Sequence, residues 1–479
     1  MQSFIHSLTR THPQKAKATV HHRRKLSSGE AMNLVAGESF TPTPAPTRTP
    51  LHPRRDTVDT YGFEISITQD QEQALARCAA RQVTQKSKWN EWCRCGSGGS
   101  GSTGGSGLPP EDRLKKLCRK GVPPELRKWV WSEVSGSQVR RTKHGPGYYA
   151  AAVEGGRGGP CAHQIQLDVP RTFPACAWIQ SDAGQAALRR VLFAFAHHNP
   201  TIGYCQGMNY VAALLIVTME HDEEAAFWVL SSLIDNPGDE ESEENDGDNG
   251  DGDDNNLHAN QRGILYQDMY ANDLSGCHVE MRSLRELVAV KLPHLASHME
   301  GLRCDMSILA TDWFLCLFCT SLPAETAARV WDALLHEGPK VLYRVALALL
   351  KMHEPALLAT DNPGDLLRVA RSAAAEEFDR DELMRVAFDG VGSLPMGKIR
   401  RYRDKNQVCV DKEMAAREMR ANLRAAVKQG YVMTADEEEL LREPEEGSDG
   451  GRGGRWRRLG SALAGEVKKV TERVVPLQK

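Results

Sequence analysis

Tracts that cannot bury a core cut this chain of 479 residues down to one candidate domain. Gly96 to Gly107 is nearly all glycine and serine, a composition that behaves as a flexible linker. Asp239 to Asn256 is almost wholly Asp, Glu, Asn and Gly, and Glu443 to Arg458 is rich in Gly, Glu and Arg. The start adds a fourth such tract. Thr41-Pro-Thr-Pro-Ala-Pro-Thr-Arg-Thr-Pro50 places proline at nearly every other position, which removes backbone donors and blocks both helix and ladder. What remains is roughly 280 residues, the upper end for a single core.

That remainder reads as helical. Residues 68–93 form a helical stretch ending near Trp89 and Trp92, which are expected to dock on the domain. Pro109-Pro110-Glu111 and Pro123-Pro124-Glu125 each put proline in a first turn with an acid beside it, a helix start. Leu188, Val191, Leu192 and Phe195 recur at intervals of three and four, one apolar face. Tyr210 to Met219 is apolar almost all round, so that helix belongs at the centre. Further helices are expected over 225–234, 257–270, 279–292, 306–321, 324–337 and 341–353. Residues 140–160 are glycine-rich and read as a loop. Strand patterns are nearly absent. The expected fold is all-α: a single large multi-helical domain with a disordered N-terminal region, an acidic insertion and C-terminal helices.

The expected organisation follows the tracts. A disordered basic, Pro-rich start covers 1–55, a short element and helix 56–95, and a Gly/Ser linker 96–107. The domain covers 108–400 with its insertion at 238–256. A charged helical extension (401–442), a flexible linker (443–458) and an amphipathic terminal helix (459–479) close the chain. In the last, Leu459, Leu463, Val467, Val470 and Val474 alternate with basic neighbours, a pattern that suits a membrane surface, a partner helix, or weak packing on its own domain.

Composition excludes several classes. Net charge is −3, so nothing argues for nucleic-acid binding. The 12 cysteines form no paired CxxC or Cys/His framework, so structural zinc is not expected. Buried free thiols at Cys316 and Cys319, in an apolar helical run, fit a reducing compartment. No apolar run reaches the eighteen or so residues that span a bilayer. Residues 1–29 carry Arg10, Lys15, Lys17, Arg23, Arg24 and Lys25 and no acid. They read as a basic tail, with an organelle transit peptide as the other reading.

Two short strings carry the chemistry. One is Ile165-Gln-Leu-Asp168-Val-Pro-Arg171-Thr172; the other is Tyr204-Cys-Gln206-Gly207-Met208-Asn209. Prolines on both sides hold the backbone at Arg171. A guanidinium there keeps its full charge when desolvated and can neutralise charge growing on a transferring γ-phosphate. The carboxamide of Gln206 both donates and accepts, and so can orient an attacking water. Gly207 leaves room for close backbone approach. Asp168 is expected to orient an arginine or cap amides, and Tyr204 and Asn209 to brace the loop and cap the next helix.

Other motifs fail. Gly392-Ser-Leu-Pro-Met-Gly397-Lys398-Ile399 lacks the hydroxyl that a P-loop needs for Mg²⁺ and has a proline in the cradle. Residues 246–254 have EF-hand-like acids without Gly at the sixth place and Glu at the twelfth. His197-His198 reads as a chance surface pair.

The two strings match the IxxDxxRT and YxQGMN signatures, and the chain resembles the TBC domain, the Rab GTPase-activating family. A third signature, RxxxW in a Gly-Val-Pro context, is met by Arg127 and Trp131 in Gly121-Val-Pro-Pro-Glu-Leu-Arg127-Lys-Trp-Val-Trp131. Asp59-Thr-Tyr61-Gly62-Phe63 is similar to an element that often precedes the domain in relatives. Trp313-Phe314, Leu322-Pro323, Arg329-Val-Trp331-Asp332 and Gly338 look like the family's later helices. The resemblance covers roughly residues 115–400.

It implies a cytoplasmic GTPase activator, not itself an enzyme, serving vesicle-mediated and intracellular protein transport. Arg171 and Gln206 would be the catalytic pair, lent in trans to a Rab-family small GTPase. Arg127, Trp131, Asp168, Thr172, Tyr204, Gly207, Met208 and Asn209 would be structural, with Arg127 pairing with Asp168. No cofactor or metal is implied for this chain, since GTP and Mg²⁺ arrive with the GTPase. A TBC fold that binds a Rab without stimulating hydrolysis, and a membrane adaptor driven by the C-terminus, are the other readings.

Overall fold

A computed structural model describes residues 54–93, 107–235, 264–271, 273–428, 431 and 433. The basic start, most of the Gly/Ser tract, the acidic insertion, the 443–458 linker and the amphipathic 459–479 segment lie outside the described residues, and so do the expectations made for them.

The fold is all-α but opens on a small antiparallel hairpin, β1 (Arg55–Val58) and β2 (Glu64–Ile67). The sequence reading missed both strands. Each is four residues long and mostly exposed or half-buried, so neither shows a strong alternation. Asp59 Oδ1 accepts the amides of Tyr61 and Phe63, at 2.9 Å each, and closes the turn.

Helix α1 (Gln69–Cys93) runs on from the hairpin and buries Trp89, whose indole N–H donates to the Gly121 carbonyl at 3.0 Å. Trp89 joins Leu114, Leu117, Cys118, Val122 and Val130 in a small satellite core. That core lies under α2 (Glu111–Lys120) and α3 (Pro124–Val134). Pro124 occupies the first turn of α3, where its missing N–H costs nothing.

Residues 140–160 are not a loop. They form α4 (Ser137–His144) and α5 (Tyr148–Arg157). Gly145 and Gly147, at φ +81° and +84°, make the corner between them. Gly156 has a different reason: a Cβ there would sit 2.0 Å from the Phe193 carbonyl oxygen. Glycine is what lets α5 press against α8 (Asp182–His198). Between them come α6 (Ala162–Asp168), a 3₁₀ turn (Val169–Arg171) and the single turn α7 (Ala177–Gln180).

The centre is α9 (Met208–Thr218), buried along its length apart from Tyr210, with α10 (Glu223–Ile234) beside it. Ser181 caps α8 and Asp222 caps α10 through the amides of Gly184 and Ala225. The helix expected over 257–270 is, within the described residues, only a 3₁₀ turn at Gln267–Tyr270.

Helices α11 (Ser275–Lys291), α12 (Pro293–Gly301) and α13 (Ser307–Leu315) follow. The run expected to continue to 321 breaks at Leu315, because Leu317 and Phe318 take left-handed φ values of +48° and +67°. The Leu317 carbonyl instead accepts from the indole of Trp331 at 2.8 Å. Cys316 and Cys319 are buried and free, but in this turn rather than in a helix.

Helix α14 (Ala324–Glu337) is buried through nearly its whole length. The chain then passes through α15 (Lys340–Met352), α16 (Glu354–Leu358), α17 (Pro363–Ala375) and α18 (Arg380–Arg385). The last helix, α19 (Met396–Lys428), runs without a break past residue 400, where the domain edge was expected. It is held to α11 by Arg403, which donates to the buried Glu280 at 2.6 Å.

Candidate functional site

The end of α6 and the start of α9 come together through one hydrogen-bonded network. Asp168, 1% exposed, is its hub. Its Oδ1 accepts from Arg171 Nε and Nη2 at 2.9 and 2.6 Å and from Gln164 Nε2 at 3.1 Å. Its Oδ2 accepts from the Tyr204 hydroxyl at 2.6 Å. Burial, with the Asp168 carboxylate next, pushes the Tyr204 hydroxyl far above its ordinary range, so it remains a donor.

A second strand of the network runs parallel to this one. The Thr172 hydroxyl donates to the Asp168 carbonyl at 2.9 Å and accepts from Asn209 Nδ2 at 2.8 Å. Asn209 Oδ1 in turn accepts the Gly207 amide at 3.1 Å. Thr172 and Asn209 are fully buried. Asn209 lies inside α9 and reaches back to the amide of Gly207, the position before the helix; it braces the loop, and the helix start has no side-chain cap.

Gly207 has a φ of +113°, a conformation that side chains resist, and it lies in van der Waals reach of Leu315 and Cys316. Met208 is buried, and its sulfur accepts the Cys205 amide at 3.4 Å. Gln206 is half-buried on the turn thus fixed.

Arg171 stands at the end of the 3₁₀ turn with its side chain 34% exposed. The chain beyond it is clamped. Phe173, at φ +45°, packs edge-on between Phe63 and Tyr210, with ring centroids 5.0 and 5.1 Å away. The hairpin also accepts this segment into its ladder: the Glu64 amide donates to the Ala175 carbonyl at 2.8 Å. The Asp59–Phe63 element therefore supports the loop that presents Arg171. The Gln180 side chain adds a bond to the Thr172 carbonyl at 2.7 Å. Gln164 and Gln180 were not singled out in the sequence, and for Phe63 nothing there marks the contact with Phe173, more than a hundred residues on.

The expected pairing of Arg127 with Asp168 is not formed. Arg127 is 1% exposed and donates to Glu325 at 2.7 and 3.1 Å and to Asp332 at 3.0 and 3.2 Å. It also donates to the Tyr61 hydroxyl. Asp168 is instead held by Arg171, Gln164 and Tyr204. Burial alone would lower the Arg127 pKa, but Asp332 and Glu325 outweigh it and hold the group well above its usual value. The Trp131 indole donates to the same Asp332 at 2.9 Å and its ring lies 5.9 Å from Trp331. Arg127 and Trp131 thus tie α3 to α14.

His198 departs from the surface pair expected. It is largely buried between Tyr148, 2.7 Å from Nδ1, and Asp235 and Ser231, 2.9 and 3.1 Å from Nε2. Only His197 of the two is exposed. Residues 392–395 are an irregular lead into α19, which takes in Met396 to Lys398, and among the described residues no cluster suited to a metal ion occurs.

The geometry is of a fold that presents one arginine and one glutamine on two cross-linked loops. The Rab-GTPase-TBC domain family matches residues 124–244 and 262–358. Human growth hormone-regulated TBC protein 1 is 32% identical over 352 residues, covering 72% of this chain and 94% of that protein. Mouse TBC1 domain family member 2A is 34% identical over 337 residues, 68% of this chain, and the chain spans about a third (33%) of that protein's length. The crystal structure of the Chlamydomonas flagellar RabGAP TBC domain aligns at 38% identity and a TM-score of 0.58, covering 70% of this chain and all of that one (100%). The chain belongs to the TBC-domain family.

Proposed function

We propose that this protein activates a Rab-family small GTPase by lending it Arg171 and Gln206. The observation that carries the reading is the joint anchoring of the two loops. Asp168 holds Arg171 and Tyr204 together, while Thr172 and Asn209 tie the same loops at a second point. Two groups so linked enter a partner's site as a unit. Arg171 would offset charge that grows on the γ-phosphate oxygens, and Gln206 would orient the attacking water. GTP and Mg²⁺ belong to the GTPase. Peripheral membrane contact through residues 459–479 is part of the same reading, and deleting them would remove that contact without touching the pair.

The test is single-turnover GTP hydrolysis by a panel of Rab proteins with and without the full chain. Acceleration of one or a few is expected. Acceleration of none, despite a folded helical protein that binds Rab·GTP, would leave the non-catalytic binding module in its place.

With a responsive Rab, Gln206→Ala is expected to slow the maximal stimulated rate by about 10²- to 10³-fold, the cost of one positioned polar group at the reacting centre. A rate within a few-fold of wild type would mean that the GTPase orients its own water. Asp168→Asn replaces an oxygen acceptor by a donor and removes the charge that steadies Arg171. A lost charged hydrogen bond is worth about 1.5–3 kcal/mol, so the stimulated rate should fall roughly 10- to 100-fold. An unaltered rate would show that Arg171 needs no carboxylate to hold it.

A further inference from the structure

The loops that carry Arg171 and Gln206 are nearly free of other charge. From Ala162 to Gln180 the only Asp, Glu, Lys or Arg residues are Asp168, which is buried, and Arg171 itself. From Asn199 to Met219 there are none, and none from Trp313 to Ala324, the segment that lies against Gly207. Across the whole chain 26% of residues are charged; α9 and residues 313–319 owe their lack of charge to burial, but the exposed and half-buried positions of 162–180 and 199–206 carry no Asp, Glu, Lys or Arg except Arg171, a local departure for surface. Depletion of charge is what distinguishes the core of a protein interface from ordinary surface.

Within this patch α6 turns Ile165 and Asp168 inward and leaves Leu167 on the outside, 56% exposed. Leu167 precedes Arg171 by four residues, with the 3₁₀ turn Val169–Arg171 following directly on its helix. Pro170 and Pro174, both exposed, flank the arginine. A partner close enough for Arg171 to reach its phosphates must cover these side chains as well.

We infer that Leu167, with Pro170 and Pro174 beside it, is an apolar docking rim for the GTPase surface next to the bound nucleotide, and that this surface is apolar and uncharged where it meets the rim. The inference rests on the activator reading. Its occupant follows from continuity with Arg171 and from the missing charge: an acidic or basic partner face would be left without counter-ions here. Covering the rim removes the apolar surface of Leu167 from water. Leu167 is thus a docking residue, and Arg171 remains the group that touches the reacting atoms.

The test uses the full chain and a Rab that the wild-type protein accelerates. Single-turnover hydrolysis is titrated with wild type, Leu167→Ala, Leu167→Asp and Leu167→Met. The half-saturating concentration should rise about tenfold for Leu167→Ala and more for Leu167→Asp, while Leu167→Met stays near wild type. The maximal rate of Leu167→Ala should remain within about threefold of wild type. Its weakening should be the same at low and high salt, since no charge is involved. Unchanged half-saturation for both Leu167→Ala and Leu167→Asp overturns the docking role and leaves the activator reading standing. So does a loss confined to the maximal rate. A wild-type protein that accelerates no Rab removes the activator reading, and this inference with it. Thermal melting of the variants, at a position already exposed, separates a docking effect from misfolding.

Discussion

Replacing Arg171 by alanine is expected to cut the stimulated rate of GTP hydrolysis by about 10³- to 10⁵-fold, the worth of an arginine supplied to a GTPase in trans. That corresponds to roughly 4–7 kcal/mol of transition-state stabilisation, far more than the side chain contributes to the fold. In the free protein Arg171 is one-third exposed and bonded to a single oxygen of Asp168. Without it Asp168 keeps two donors, Gln164 and Tyr204. The stability cost should therefore be no more than that of a charged hydrogen bond, about 1.5–3 kcal/mol, and less for its partial exposure.

Arg171→Lys sharpens the test. Lysine keeps the charge but has no planar fork, and it cannot hold Asp168 and reach outward with fixed geometry. It should recover little of the loss. The measurement is the single-turnover rate at saturating activator, with circular dichroism to show that helical content is unchanged. An alanine variant that stimulates hydrolysis as well as wild type would sink the catalytic assignment of Arg171, whatever its effect on binding.

How far the site was legible can be argued residue by residue. The two strings contain most of the network on Asp168: Arg171 lies three residues on in the first and Tyr204 in the second, while Gln164 stands one residue before the first string. What local sequence hides is which side chain meets which across a long separation. Arg127 was read as the partner of Asp168, but its carboxylates come from Glu325 and Asp332, about two hundred residues away. Nothing in spacing points to them. Asp332 stood in the Arg329-Val-Trp331-Asp332 string without any sign of its partner.

The misread elements have the same origin. Glycine-rich residues 140–160 looked like a loop because a helix weakened by glycine, such as α5 within them, needs a tertiary reason to exist. That reason is the close approach of Gly156 to Phe193. The break after Leu315 was hidden in an unbroken apolar run, since left-handed Leu317 and Phe318 are tolerated only where the core around Trp331 fixes them. The long, strongly periodic helices were legible because propensity, pattern and packing agree in them.

The largest effect on stability is expected at Arg127. Its guanidinium is 1% exposed and satisfies Glu325 and Asp332, both buried, and Asp332 also accepts from the Trp131 indole and the Val122 amide. Burial pushes the Asp332 carboxyl above its ordinary range even with Arg127 beside it. Arg127→Ala would leave buried Asp332 without its hydrogen-bonded cation and Glu325 with only Arg380, 3.6 Å away, and would open a void between α3 and α14. Removing one partner of a buried ion pair costs about 3–5 kcal/mol, against a total stability of about 5–15 kcal/mol for a protein. The denaturation midpoint should fall accordingly with the slope unchanged. Arg127→Lys should fall between, since one ammonium cannot serve both carboxylates with the same geometry. The loss should be relieved when the stranded charges are removed too: Arg127→Met combined with Glu325→Gln and Asp332→Asn should be more stable than Arg127→Ala alone, because uncompensated charge rather than a missing contact dominates the cost. If the triple variant is no more stable than the single one, the penalty lies in lost packing and donors instead. If Arg127→Ala unfolds at the wild-type midpoint, the cluster contributes nothing that the surrounding helices do not already supply.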